Sequence, residues 1–545
     1  MIKKPLLLLI LLALNISYTQ NTIGTIQISS DVYEGYTLFT ISNKTYLINN
    51  CGEVINQWSS TFPPGNSVYL LENGNILRAG RTDSTDITFG GQGGVIEIFD
   101  WQGNLEWQYF YDTPNMRQHH DVFPMPNGNV LILAVTKMNY SEAIQAGRNP
   151  NLLVESELYN EQIIEVTPVG LSNANIVWEW NIKDHLIQDF DSSKNNYGNV
   201  GLTPEKLDVN FLNSGAGSAN WLHINSIQYN SDLDQIVLSA RNLSEIYVID
   251  HSTTTAEAST NIGGTYGKGG DFLYRWGNPQ SYRQGTETDR KLFGQHDPHF
   301  IQSGLIDEFK IMVFNNGFDR APQFSEVFII DPDTDSPGFY SYQSNTQFSP
   351  NEVYYTYTDP VNQSDFFSGI VSSSQRLPNG NILICEGLNG RIFEINQAEE
   401  TVWEYIVPVN TNTGAIYSQG DLPSTFSNLI FRAKKYDLNY PAFLNKDLTP
   451  GNPIELNPNL TECYNLSVES INTYEIGISP NPTYGTISIS GRENIENIKI
   501  YSIDGKEVSS FNDTTKINLS HFKDGIYFLK IKDGAHTVTK KIIKI

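Results

Sequence analysis

The sequence predicts an all-β chain, a six-bladed β-propeller followed by a small C-terminal β-sandwich. Three observations carry that prediction. A phrase of strand, acidic or Asn turn and strand ending in an aromatic recurs six times within residues 21–445. A second phrase of turn and apolar strand alternates with it, and helical periodicity is almost absent. Finally, the charge balance changes near residue 473: from Tyr474 onward ten Lys or Arg stand against eight Asp or Glu, whereas residues 21–473 carry 23 against 52.

Taken in order, residues 1–20, "MIKKPLLLLILLALNISYTQ", join two lysines to an apolar run and a polar end, the pattern of a signal peptide. No later run approaches the roughly 20 apolar residues of a membrane helix, so no span is expected. The first phrase then appears as "TYLINNCGEVINQW" to Trp58, "VIEIFDWQGNLEW" to Trp107, and "IIEVTPVGLSNANIVWEW" to Trp178 and Trp180. It continues as "IYVID" leading to Trp276, "VFIIDPDTDSPGFYSY" to Tyr342 and "IFEINQAEETVWEY" to Trp403. The second phrase includes "LENGNILRAG", "MPNGNVLILAV" and "RLPNGNILICEG", in which Asn-Gly admits positive φ and joins antiparallel strands tightly. Trp58, Trp107, Trp178 and Trp403 are expected to fill the space between blades. Long polar insertions, including 183–220, are expected to wall a cup over the central channel. Residues 446–473, rich in Pro and Asn, read as a linker, and 474–545 alternate with period two like a small sandwich.

Composition excludes several functions. The formal charge is −25, and loss of Lys3 and Lys4 with the signal leaves 33 basic against 60 acidic groups, a charge of −27. Such a surface repels nucleic acid and anionic membranes. Cys51, Cys385 and Cys463 allow one disulfide, which the sequence does not choose. A Walker-type loop, a Gly-x-Gly-x-x-Gly before a helix, and the His-Glu or Cys-x-x-Cys spacings of metal sites are all missing, so neither a cofactor nor a metal is expected.

Only nine histidines occur, and five fall at the starts of strands. His119 and His120 precede the "MPNGNVL" turn of the second blade, His223 stands in "NWLHINSIQYN" of the third, and His296 and His299 flank "DP" in the fourth. Equivalent positions of successive blades point at one axis, so these imidazoles are expected to converge. Arg241 in "LSARN" and Arg320 in "FNNGFDR" end the strands that come next, placing guanidiniums on the same rim, where paired donors hold a tetrahedral oxyanion. Asp121 and Asp297 either orient an imidazole or terminate a turn.

Two resemblances rest on these motifs. "ISPNPTYGTISI", the Asp-Gly hairpin, "GIYFLKI" and the lysine-rich end resemble the C-terminal sorting domain of the Bacteroidetes type IX secretion system, which implies export by that machinery to the cell surface or beyond. "NWLHINSIQYN", "GQHDPHF", "FNNGFDR", "RLPNGNILICEGLNGRIFEI" and "NLIFRAKKYDLNYPAF" resemble, in order, the bacterial aryl-sulfate sulfotransferases. That resemblance implies transfer of a sulfuryl group from a phenolic sulfate donor to a phenolic acceptor without a nucleotide, through a sulfated histidine. By motif, His223, His296 and Arg320 hold the sulfate; His119, His299 and Arg241, on the same rim, are the candidate substrate-binding residues. Where the family has its nucleophilic histidine, this chain has Arg391, which cannot attack because it stays protonated; the nucleophile or base then falls to His296 or His120. A polysaccharide lyase acting on sulfated or uronic glycans and a non-catalytic binder of sulfated glycans fit the same cationic cup.

Overall fold

The computed structural model describes residues 21–213, 217–461, 463, 477–490, 495–503, 505–512, 514–533 and 536–545. The expected signal peptide, 1–20, residues 462 and 464–473 of the expected linker, and residues 474–476 at the start of the expected sandwich lie outside them. The chain divides into two compact units, 1–462 and 463–545.

The body is a β-propeller. Among the described residues it contains six consecutive antiparallel sheets of four or five strands. The first sheet joins Gly35–Ile41, Lys44–Ile48 and Val54–Ser59 to the distant strand Ala433–Asp437. The inner strands of the next five are Pro64–Leu70, Met116–Pro124, Ile224–Asn230, His296–Phe300 and Ser373–Arg376. At its outer edge the sixth sheet takes in the N-terminal strand Gly24–Ile28, paired with Thr401–Ile406. Both ends of the body are therefore stitched into sheets begun elsewhere, which closes the ring of sheets.

An apolar cluster lies between each neighbouring pair of sheets: Leu47 and Trp101, Leu77 and Ile132, Trp180 and Leu238, Val237 and Val313, Ile329 and Ile384, and Ile392 with Phe39 mark the six in order. Closing-strand tryptophans also hydrogen-bond across these seams. Trp58 donates to the Asp100 carbonyl at 2.8 Å, Trp107 to Asn173 at 2.9 Å, Trp180 to Gly270 at 2.8 Å and Trp276 to Pro350 at 2.8 Å. Trp403 of the sixth sheet donates to Asn50 of the first at 2.7 Å. A buried indole N–H needs such an acceptor, so each aromatic repeat fixes the angle to the next sheet as well as filling the gap.

Three expectations change. Because the C-terminal strand completes the first sheet, the histidine-bearing inner strands belong to the third, fourth and fifth sheets, one later than the second, third and fourth blades assigned from sequence. The fifth sheet closes with Tyr355–Tyr357 rather than at Tyr342, because Thr334–Ser336 and Phe339–Tyr340 pair with each other. Residues 447–457 lie on the body instead of hanging free: Pro453 bridges Glu53, and Ile454 enters the seam between the sixth and first sheets.

Four successive inner strands share one irregularity. Register shifts occur at Pro64/Val68, Gln118/Val122, Ile224/Ile227 and His296/His299. Within three of these bulges Asn66, His120 and Asp297 adopt φ of +92°, +50° and +55°, and His223, just before the fourth, +52°. An extra residue re-aims the adjoining side chain, and positive φ costs on the order of 1–3 kcal/mol in a non-glycine residue. Here it turns imidazoles toward the propeller axis.

In the C-terminal unit a three-stranded sheet containing Gly477–Ser479, Thr486–Ser490 and Lys516–Asn518 shares a core with a four-stranded sheet of Glu507–Asn512, Asn497–Ser502, Gly525–Asp533 and His536–Lys544. Ile487, Ile498, Ile500 and Leu529 are fully buried there, as the period-two pattern requires. In the body, Cys385 is a buried free thiol.

Candidate active site

Three bulges bring four imidazoles together. The ring centroids of His119 and His120 are 5.2 Å apart, and those of His120 and His223 4.7 Å. Phe89 lies against all three, at 5.1, 6.3 and 6.0 Å. Phe431, just before the strand that closes the ring, spans from His120 at 6.3 Å to His296 at 6.4 Å. Arg241 comes directly after the second strand of the fourth sheet and stacks its guanidinium over Phe318 at 4.9 Å. The cluster thus has polar groups from three sheets and phenyl walls.

The loop carrying Phe89 is built by Arg117. This fully buried guanidinium donates to the carbonyls of Thr82, Ser84, Ile87 and Gly93, so the loop's backbone is satisfied internally. Gly91, at φ +82°, then packs on the face of the His120 ring: a Cβ there would fall inside Nε2, Cε1 and Cδ2 at nearly equal distances. Contact along the in-plane lone pair would leave the two carbons farther away than the nitrogen. Gly91 thus does not cover Nε2 of His120 along the ring plane, and among the described residues that nitrogen has no hydrogen-bond partner.

Each imidazole has a distinct setting. His119 joins Nδ1 to Nδ1 of His120 at 2.9 Å and Nε2 to Glu161 Oε2 at 3.0 Å. The Asn220 amide donates to Nδ1 of His223 at 2.7 Å, which leaves the proton of the neutral ring on Nε2. His296 donates from Nδ1 to Asn316 Oδ1 at 2.7 Å and accepts the Val371 N–H on Nε2 at 3.2 Å. Burial, then the neighbouring imidazoles and Arg241, hold His120 well below the usual histidine range. Burial and Arg241 do the same for His223, and they push His296 down to about 3. These rings are neutral at physiological pH and able to attack, accept or donate.

That neutrality has a sign for stability. An imidazole depressed in the folded state takes up its proton only in the unfolded chain as pH falls below about 6.5, so its burial destabilises progressively down to the folded value. Between pH 7 and 5, His296 is expected to withdraw about 2 kcal/mol. Urea unfolding at the two pH values should show His296→Gln losing less stability than the native chain by about that amount.

One step further along the axis sits an ionic knot. Arg432 contacts Asp121 Oδ2 at 2.9 Å, Asp297 Oδ1 at 3.0 Å and the Tyr69 hydroxyl at 2.6 Å, and Gln228 donates to the same hydroxyl at 2.8 Å. Asp121 and Asp297, expected to orient an imidazole or end a turn, hold this guanidinium. His299 belongs to this level: its Nδ1 meets the Asp297 carbonyl at 2.9 Å, and Lys434 and Arg432 face it, so it is not part of the imidazole group.

Neither Arg320 nor Arg391 is a free guanidinium. Arg320 pairs with Glu326 at 2.7 Å and lies on the Phe324 ring at 3.5 Å. Arg391 pairs with Glu404 at 2.7 Å and Glu386 at 3.2 Å, and stacks on Phe393 at 4.0 Å. Glu386 is its cross-strand partner in register, so strand pairing neutralises the charge that motif reading assigned to the site. Arg391→Met is therefore expected to keep turnover within about threefold but to lose about 1–3 kcal/mol by urea unfolding, because buried Glu386 loses its cation.

Sequence reasoning missed Glu161, Phe89, Phe431, Asn316 and Arg432. Arg432 and Phe431 stand inside the segment "NLIFRAKKYDLNYPAF" and could have been found by recognising its second half as the inner strand of the first sheet. Nothing local marks Glu161, which meets His119 from two strands away in the sheet. Surface cavities of about 540 and 720 Å³, beside Gln145 and Asn195 and beside Tyr33 and Asn381, contain none of the imidazoles. Among the described residues no cluster of three or more His, Cys, Asp or Glu is disposed to hold a metal ion.

Comparison with known families decides the class. The arylsulfotransferase (ASST) family model matches residues 43–432, most of the propeller and all the residues of the cluster. The chain belongs to the arylsulfotransferase family. A secretion-system C-terminal sorting domain matches residues 477–545 of this arylsulfotransferase-family protein. That domain marks it for type IX export to the cell surface or beyond, and no helix of the described residues is long and apolar enough to cross a membrane. No curated protein matches the chain. Among solved structures, a Bacteroides caccae protein of unknown function is 12% identical over 68% of this chain and 93% of its own, with a TM-score of 0.37. A putative 6-phosphogluconolactonase from Bacteroides fragilis is 12% identical over 75% and 99%, TM-score 0.33. Virginiamycin B lyase from Staphylococcus aureus is 12% identical over 71% and 89%, TM-score 0.32. Membership of the arylsulfotransferase family supports an aryl-sulfotransferase-like activity for this chain.

Proposed function

We propose that this protein moves a sulfuryl group from a phenolic sulfate ester to a phenolic acceptor without a nucleotide donor, with His120 as the nucleophile. The observation that carries the reading is the convergence of His120, His223 and Arg241 in one phenyl-walled cluster, with Nε2 of His120 and of His223 free of hydrogen-bond partners among the described residues and the Arg241 guanidinium held only by Asn242 at 3.3 Å. A sulfuryl group in transfer spreads charge over three equatorial oxygens, so fixed donors supply much of the stabilisation. The Nε2–H of His223 and the guanidinium of Arg241, which has no carboxylate partner among the described residues, are those donors. Nε2 of His120 attacks sulfur, and Phe89, Phe431 and Phe318 flank the aryl ring. His296, saturated by Asn316 and Val371, shapes the wall.

The test measures 4-nitrophenol release from 4-nitrophenyl sulfate with and without added phenol. Release is expected to depend on phenol and to fall more than about 10³-fold in His120→Ala, with a smaller loss in His296→Gln. Double-reciprocal plots against the two substrates should be parallel, as a sulfated enzyme requires. Intersecting lines would exclude the sulfo-histidine, and no release at all would remove sulfuryl transfer.

A further inference from the structure

We propose that Glu161 and His119 form a proton relay behind His120, setting which nitrogen of His120 carries the lone pair and receiving its other proton during transfer. The step rests on the sulfuryl-transfer reading; the hydrogen-bond order does not.

The order comes from what each atom can do. Glu161 Oε1 accepts the Ile224 N–H at 3.0 Å, and Oε2 lies 3.0 Å from His119 Nε2. An ionised carboxylate accepts only, so Nε2 of His119 carries its proton. In the proposed order His119 carries that one proton, its Nδ1 accepts, and the 2.9 Å contact then places the proton of His120 on Nδ1. The lone pair of His120 is left on Nε2, which has no hydrogen-bond partner among the described residues. Glu161 and His119 are both buried, at 1% and 0% exposure of their side chains, so no water competes for these bonds. By holding Ile224 as well, the same carboxylate ties the bulge that presents His223 to the one that presents His120.

In the first half-reaction the Nε2 lone pair of His120 forms the bond to sulfur while the ester S–O bond breaks, its electrons leaving on the phenolate. The Nδ1 proton of His120 passes to Nδ1 of His119, and the resulting imidazolium is paired with Glu161. The sulfated ring is then neutral and persists until the acceptor binds. Return of the proton to Nδ1 makes His120 a better leaving group when the acceptor oxygen takes the sulfuryl group. The departing phenolate gains a proton from water and the acceptor phenol gives one up, so the sum is sulfuryl transfer with no net proton. Glu161 and His119 are positioning residues in this scheme; they do not touch the substrate.

The experiment uses the full mature chain with ¹⁵N-labelled histidine, His120 being assigned by His120→Gln. Two-bond ¹H–¹⁵N spectra are expected to show His120 protonated on Nδ1. In Glu161→Gln the amide NH₂ can donate to His119, which reverses the chain of donors and moves the His120 proton to Nε2. With 4-nitrophenyl sulfate and phenol, kcat should fall about 10–100-fold in Glu161→Gln at unchanged KM. Glu161→Asp, which keeps the acceptor, should restore the tautomer and much of the rate. Protonation of His120 on Nε2 in the native chain would overturn the relay, and that measurement needs no variant to fold. So would native kcat in Glu161→Gln while His120→Ala is dead, which would leave the transfer reading intact. Absence of turnover in the native chain overturns the transfer reading instead, and the spectra alone then decide the hydrogen-bond order.

Discussion

Replacing Arg432 with methionine is expected to lower the unfolding free energy by about 3–5 kcal/mol. The guanidinium is 3% exposed and meets Asp121 and Asp297, themselves 0% and 3% exposed. Burial opposes its charge, but the two carboxylates outweigh that and hold it protonated. Taking the cation away leaves two like charges facing each other out of water, one of which must protonate or draw in solvent. The three partners come from the first, third and fifth sheets, so relief of the repulsion must pull inner strands apart. Urea unfolding at pH 7 measures the loss. Adding Asp121→Asn to Arg432→Met should recover part of it, because one of the opposed charges is then gone; a double variant no more stable than the single one would show that the knot is packing rather than charge.

Gly91→Ala is expected to reduce kcat/KM for 4-nitrophenyl sulfate by about 10²-fold or more. The added methyl collides with the His120 ring, and φ of +82° at this position disfavours any side chain. His120 is anchored by its own backbone bond to the Gly91 carbonyl at 2.7 Å and by His119, so the ring must tilt or the loop must lift. Either response moves Nε2 relative to His223 and Arg241. Stability should change much less than rate, because the loop is held from the other side by Arg117 and by Ile87 in its own small apolar cluster. Steady-state kinetics beside urea unfolding separates the two. A variant with native kcat/KM would mean that the loop yields freely and that Gly91 does not hold the ring.

Local chemistry determined much of this protein. Alternating apolar residues, Asn-Gly turns and closing aromatics are short-range signals, each readable within a dozen residues, and they were enough for an all-β propeller with a sandwich tail. The sorting motif and the collinear sulfotransferase motifs are likewise local, and they carried family and export. The same signals placed His119, His120, His223, His296 and Arg241 at strand ends that point to one axis.

Tertiary structure alone decided which of those side chains are free to act. Arg320 and Arg391 look available in sequence, yet Glu326, Glu386 and Glu404 neutralise them through a turn and a strand register that composition does not reveal. His299 stands three residues from His296, but the intervening bulge and the Arg432 knot assign it to another level. Arg432 itself reaches that knot only because the chain's later strand completes the sheet its beginning started. Glu161 and His119 meet across a sheet, and no spacing rule links residues 42 apart. The physical reason is the same in each case: periodicity fixes the direction of a side chain relative to its own strand, whereas charge pairing, tautomer and access depend on neighbours supplied by strands far away in the chain.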